Sequence, residues 1–371
     1  MKRDSSTKTA KLSDVARLSR VSTATVSRAL SLPHKVKPAT AARINQAVET
    51  LGYVAHGAAR ALASRRTRTI GAVIPTLDNA IFAKTVQALQ RTLEEAGYML
   101  LVASHEFDAA VEVRVTRTLV ERGVDALVLL GTTHHHGLLR MLDLHRLPYV
   151  LTWALDESGR LPCVGVDNRA AGLCIARYLL ELGHRDIAMI SGITEGNERA
   201  RERQEGVRAA LAAHGLALPP QRVVEKPYAL AAGREGLREL LAGGSAPSAV
   251  ICGNDVLAIG ALAECHDRGI AVPGRISVAG FDDMEIAAAV TPGLTTLRFP
   301  AADLGALAAR HLLARLAGRD VERRKELPVE LVVRGSTAPP GARVPDAGET
   351  ERHESAAGQV PLNCLPPAGG S

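Results

Sequence analysis

Leu12-Ser-Asp-Val-Ala16, then Val21-Ser-Thr-Ala-Thr-Val-Ser-Arg-Ala-Leu30, then Pro38 and the closing Leu51-Gly-Tyr53 are the segments whose reading decides the architecture of this chain. Apolar residues recur there at helical spacing in three short blocks separated by turn-like residues. In the first block, residues 13–20, Ser13 is placed to cap and Val15, Ala16 and Leu18 supply apolar contacts. In the second, residues 23–30, Ser22 is placed to cap and Val26, Ala29 and Leu30 turn inward. That leaves Thr23, Ala24, Ser27 and Arg28 outward. The turn before the Ser22 cap is only Arg20-Val21, so the two helices must cross steeply. This is helix-turn-helix geometry, which offers the second helix to a major groove. The third block begins near Pro38, suited to a first helical turn, and buries Ile44, Val48 and Leu51.

Charge points the same way. Residues 1–68 carry 14 Lys and Arg against Asp4, Asp14 and Glu49, a net +11, while the whole chain of 371 residues is only +6, so the remainder stands at −5. A basic tail in solvent would give the same balance, but the helical patterning makes the segment a folded module with a polyanion partner. No apolar run reaches the ~20 residues needed to span a bilayer, and the first ten residues lack a secretory apolar core, so a cytoplasmic protein without membrane contact is expected. The five cysteines form no CxxC pair and have no histidine at metal-ligand spacing. His134-His135-His136 follows a strand, but adjacent histidines cannot all face one ion, so a solvated loop is expected there. No metal or other cofactor is anticipated.

From Thr69 onward, short apolar runs alternate with helical segments, the mark of βαβ units and parallel sheets. Strands are expected at residues 70–74, 98–103, 126–130, 149–152 and 164–166, and in a second set at 187–191, 223–225, 249–252 and 276–280. The fold class is therefore α/β: a small all-α headpiece followed by two doubly wound subdomains, with ligand space at the carboxyl ends of their strands.

These residues resemble the lac repressor family. Ala59-Arg-Ala-Leu62 is similar to its hinge helix, and Gly183-His-Arg185, Gly253-Asn-Asp-Val-Leu-Ala-Ile-Gly260, Val278-Ala-Gly-Phe-Asp-Asp283, Pro292-Gly-Leu-Thr-Thr296 and Leu331-Val-Val-Arg-Gly-Ser-Thr337 extend the likeness to residue 337. The resemblance implies a repressor that binds double-stranded operator DNA as a homodimer and answers to a small-molecule effector, a sugar or related polar metabolite. It implies a flexible N-terminus at residues 1–10, a headpiece at 11–56, and a hinge helix with linker at 57–68. The body then covers 69–340, with lobes at 69–166 plus 298–326 and 167–297 plus 327–340, and a disordered tail covers 341–371. Arg20 and His56 depart from the family pattern, where many members have Gly and Asn. Arg20 in a left-handed turn would cost ~1–2 kcal/mol.

For DNA, the resemblance puts Thr23 and Ala24 at specificity positions. Arg28, about a turn further along the same face, suits the O6 and N7 of a guanine. Ser13, Ser22, Thr25 and Ser27 are expected as caps and phosphate anchors, and Leu62 as a wedge into a base step. The hinge segment, residues 57–64, is too short to hold a helix alone. For the effector, the family's positions correspond to Phe82, Asn197, Arg199, Arg203 and Tyr228. Asp255, just beyond the strand at 249–252, is expected to project into the same cleft; Trp153 is placed either in the core or on the cleft. An enzyme is the first rival, but no G-x-G-x-x-G follows the first strand, and neither a phosphate loop nor a nucleophile elbow occurs. A free sugar-binding protein is the second; the basic headpiece argues against it.

Overall fold

The computed structural model describes residues 9–31, 35–54, 66–244 and 246–341. His56, Leu62, the hinge segment, the first eight residues and the expected tail beyond residue 341 lie outside the described residues. The chain divides into two compact units, Met1–Thr69 and Ile70–Ser371.

The first unit holds α1 (Leu12–Ser19), α2 (Thr23–Ser31) and α3 (Pro38–Leu51). Its core is Val15, Ala16, Val26, Ala29, Ile44, Ala47 and Tyr53, with Leu30, Val48 and Leu51 half-buried at the margin. Leu18, expected inward, is exposed. Ser13 does not cap α1: the helix starts one residue earlier, and the Asp14 carboxylate accepts the Lys11 amide at 2.9 Å. An acidic group in a first helical turn also complements the helix dipole, which explains why Asp14 displaces Ser13 in that role. Ser22 does cap α2, its Oγ accepting the Thr25 amide at 3.1 Å. Arg20 closes α1 at φ 53° and ψ 46°, so the turn does take the left-handed form that glycine adopts most easily.

The second unit contains two six-stranded sheets. Along the chain come β1 (Thr69–Ile74), α4 (Ala80–Glu95), β2 (Met99–Ser104), α5 (Ala109–Glu121), β3 (Ala126–Leu130), α6 (His136–Leu144), β4 (Tyr149–Thr152) and β5 (Cys163–Gly165). Next are α7 (Asn168–Glu181), β6 (Ile187–Gly192), α8 (Glu198–Ala212), β7 (Val223–Lys226), α9 (Leu230–Ala242), β8 (Ala249–Cys252), α10 (Asp255–Asp267) and β9 (Ser277–Asp282). Last are α11 (Glu285–Ala289), β10 (Thr295–Arg298), α12 (Ala301–Leu316), β11 (Arg324–Glu326) and β12 (Glu330–Val332). The sheet orders are β11-β5-β4-β3-β1-β2 and β12-β10-β9-β8-β6-β7. The chain thus passes between sheets three times: after β5, between β10 and α12, and between β11 and β12. Strands β3, β8 and β9 are buried throughout, as parallel strands covered on both faces must be. Helices α7 and α8 touch backbone to backbone, because a Cβ on Gly172 would strike the Arg203 carbonyl and one on Gly206 the Arg169 carbonyl. That close packing holds Arg203 beside Asn168.

Candidate functional site

On the first unit, α2 presents Thr23, Ala24, Ser27 and Arg28 to solvent on one face, opposite the buried Val26 and Ala29. Thr25 is half-buried, and its hydroxyl is 2.9 Å from that of Ser22. Ser13 is exposed on α1. An exposed arginine flanked by a methyl and a hydroxyl on a helix braced by two others has the form of a base reader.

In the second unit, Phe82, Asn197, Arg199, Arg203 and Tyr228 gather around one cleft, joined by Asn79, Ile81, Phe107, Trp153, Asn254 and Asp282. Five of the six expected effector residues are therefore brought together. Asp255 is not. Fully buried, it accepts the Thr296 hydroxyl at 2.6 Å and the Met284 amide at 2.7 Å, tying α10 to the segments after β9 and in β10. Burial, with Asp282 nearby, pushes its pKa up to about 8. The reason is local. Asn254 caps α10 by accepting the Leu257 amide at 3.0 Å, which places Asp255 in the first turn, facing the protein rather than the cleft. The acid that lines the cleft is Asp282, at the carboxyl end of β9. Its signal was present in the sequence, since Val278-Ala-Gly-Phe-Asp-Asp283 ends a strand where open α/β sheets bind ligands.

Arg203 is held from every side. Its Nε donates to Asn168 Oδ1 at 3.0 Å and its Nη1 to the Gly253 carbonyl at 2.7 Å, while Nη2 lies 3.9 Å from Asp282. Its guanidinium also packs 4.8 Å and 4.6 Å from the ring centres of Phe281 and Phe299. Burial raises the Asp282 pKa to about 6 although Arg203 opposes the shift, so the carboxylate is mostly ionised at neutral pH. Arg199 donates to Glu198 at 2.8 Å. Glu198 in turn accepts the amides of Thr132 at 2.9 Å and Thr133 at 3.3 Å, which belong to the other lobe. Burial alone would raise the Glu198 pKa, but Arg199 and these donors more than offset it and hold it low.

Two buried donors on the cleft wall, Asn254 Nδ2 and Trp153 Nε1, have no hydrogen-bond partner. Trp153 thus serves both core and cleft: it is buried, edge-on to Phe82 at 5.4 Å and stacked with Phe299 at 6.0 Å. Trp153 and Asp282 also hold φ at 74° and 108°, conformations that cost of order 1–3 kcal/mol and cluster at functional sites. The cleft is nearly shut, enclosing about 20 Å³, room for about one water molecule.

The histidine run is split. His135 and His136 are exposed and stack on each other, but His134 is buried, 2.7 Å from Glu112 and 3.0 Å from the Gly131 carbonyl. The expected solvated loop therefore holds only for His135, since His136 is exposed but opens α6. Glu112, 22 residues earlier on α5, is the partner that draws His134 inside. Among the described residues no group of His, Cys, Asp and Glu could hold a metal ion, and no helix is long and apolar enough to cross a membrane.

Residues 11–56 match the sequence profile of "Bacterial regulatory proteins, lacI family", and residues 176–337 that of a periplasmic binding protein-like domain. The ribose operon repressor of Escherichia coli (strain K12) is 33% identical over 331 residues, covering 88% of this chain and 99% of the relative. A solved complex of the transcriptional regulator CelR with cellobiose is 30% identical, with a TM-score of 0.67, and the match covers 88% of this chain and 99% of that one. The crystal structure of the lac repressor dimer bound to operator and the anti-inducer ONPF has a TM-score of 0.80 over 89% of this chain and 100% of that one; at 24% identity the likeness is one of fold.

Proposed function

This chain belongs to the lacI family of bacterial regulatory proteins, and from that premise we propose that it is a cytoplasmic homodimeric repressor whose hold on double-stranded operator DNA is set by a sugar or sugar derivative bound in the cleft. The observation that carries the effector class is the charge balance of the cleft. Arg199 is offset by Glu198 and Arg203 by Asp282, so no net charge is left to call for an anion. What remains is a carboxylate, two unpartnered donors and the rings of Phe82, Phe107 and Trp153. Hydroxyl groups satisfy the polar atoms and an aliphatic ring face packs on the aromatic ones, which describes a neutral polyol. The names of the ribose operon repressor and the cellobiose complex point to the same class.

On the DNA side, Arg28 reads a guanine, Thr23 and Ala24 contact neighbouring bases, and Ser22, Thr25, Ser27 and Ser13 fix register on phosphates. Residues 57–68 form the hinge, with Leu62 entering a central base step. Because the cleft is almost closed, the lobes must part to admit effector. Their relative movement is the change that reaches the hinges.

A thermal-shift panel of pentoses, hexoses and disaccharides on the full chain tests the reading. A sugar at 100 times its Kd adds about 2.7 kcal/mol, and Arg203→Gln removes the shift. Stabilisation by none of the sugars, in protein that still binds its operator, would count against a sugar effector.

A further inference from the structure

A second concave site lies at the opposite end of the first sheet from the cleft. Strand β4 links the two: Trp153 just past its carboxyl end lines the cleft, whereas Tyr149 at its amino end lines a groove of about 370 Å³. The groove floor is Leu142, Leu147, Pro148, Tyr149 and Pro162, with the buried His311 of α12 beneath its edge. Around the rim stand four arginines from separate segments: Arg146 before β4, Arg160 between β4 and β5, Arg315 on α12 and Arg323 before β11.

We propose that this groove binds a small polyanion carrying phosphate groups, distinct from the ligand of the cleft. Four guanidinium groups from separate segments converge on this one concavity. Some exposed arginines of this body find carboxylates, as in Arg177 with Glu181, Arg238 with Glu264 and Arg298 with Asp283, and others, such as Arg91, Arg117 and Arg140, stand singly in solvent. Among the described residues none of the four rim arginines forms such a pair. The only acid on the lining is Asp143. Asp156 is spent on its own loop, accepting from the Ser158 hydroxyl and the amides of Arg160 and Leu161. Gathering four unpaired cations round a concavity raises their mutual repulsion, in a body that is acidic overall, and a bound anion relieves it. The guanidinium fork suits phosphate oxygens, and Arg160 and Arg323 are already oriented, by Ser158 and by the Arg160 carbonyl respectively. Tyr149 and the two prolines give an apolar surface for the carbon part of such a ligand. Burial and the nearby Arg315 lower the pKa of His311, so it sits neutral at the floor and adds a hydrogen bond rather than a charge.

Inorganic pyrophosphate is the probe, titrated by calorimetry into the full chain at fixed ionic strength. The expected result is saturable binding of one equivalent per protomer, weakened at least tenfold in Arg315→Gln/Arg323→Gln. Both positions are exposed, so the melting temperature of the ligand-free variant should be unchanged. Arg28→Gln in the basic headpiece should leave this binding intact. No saturable binding in the wild type would overturn the proposal. Equal affinity in the double variant would also overturn it, by placing the anion elsewhere.

Discussion

Glu198→Ala should loosen the closed form of the body. In the structure this carboxylate of the second lobe accepts two backbone amides of the first, from Thr132 at 2.9 Å and Thr133 at 3.3 Å, while also meeting Arg199 at 2.8 Å. A hydrogen bond to a charged group contributes roughly 1.5–3 kcal/mol net, and the second bond is long, so the pair is worth about 2–3 kcal/mol. At 1.4 kcal/mol per factor of ten, lobe opening becomes about 30- to 150-fold more frequent. Leaving Arg199 without its partner in the closed form pushes in the same direction. Native-state amide exchange in effector-free protein reads this directly. Protection at Thr132 and Thr133 should fall by that factor, while Val128, inside β3, keeps its own. Unchanged protection at the two threonines would refute the latch. An equal fall at Val128 would show that the substitution merely destabilises the whole lobe.

Three further outcomes follow. Arg28→Ala should cost about 1–3 kcal/mol of specific DNA affinity and relax preference at one base pair per half-site, seen in mobility shifts across site variants; a uniform loss would mean a phosphate contact instead. Asp282→Asn should lower sugar affinity at pH 7, and wild-type affinity should fall as pH drops below about 6, where the acceptor protonates. A flat titration curve down to pH 5 would remove Asp282 from the binding surface. Asp255 has a folded pKa raised to about 8, so the stability it contributes is complete below the unfolded value near 4 and is lost as pH rises towards 8. Relative to wild type, Asp255→Asn should therefore gain in melting temperature between pH 5 and pH 8, and a constant difference would contradict this.

The features set by local patterning were readable from the residues alone. Helical spacing with a two-residue turn put Val26 and Ala29 inside and Arg28 outside, and short apolar runs located the strands whose carboxyl ends frame the cleft. What escaped depends on distances that only folding creates. His134 is buried because Glu112 reaches it from another element. Asp255 lies just past one apolar strand and Asp282 ends another, and strand-end position cannot tell which carboxylate faces the ligand. Capping decides it, because Asn254 starts α10 and turns its neighbour inward. Ser13 lost its expected role for a similar reason, since an aspartate one residue along competes for the same helix end.

If the cleft governs how this chain reads DNA, the sites it selects must be specific and must answer to the sugar. Selection of binding sites by the purified full chain from random duplex DNA, with and without the sugar that stabilises it, tests this most directly. The expected result is enrichment of a near-palindrome whose half-site centres lie about one helical turn apart, with occupancy that changes when the sugar is added. Recovery of unenriched DNA, held only through salt-sensitive contacts and indifferent to the sugar, would contradict it.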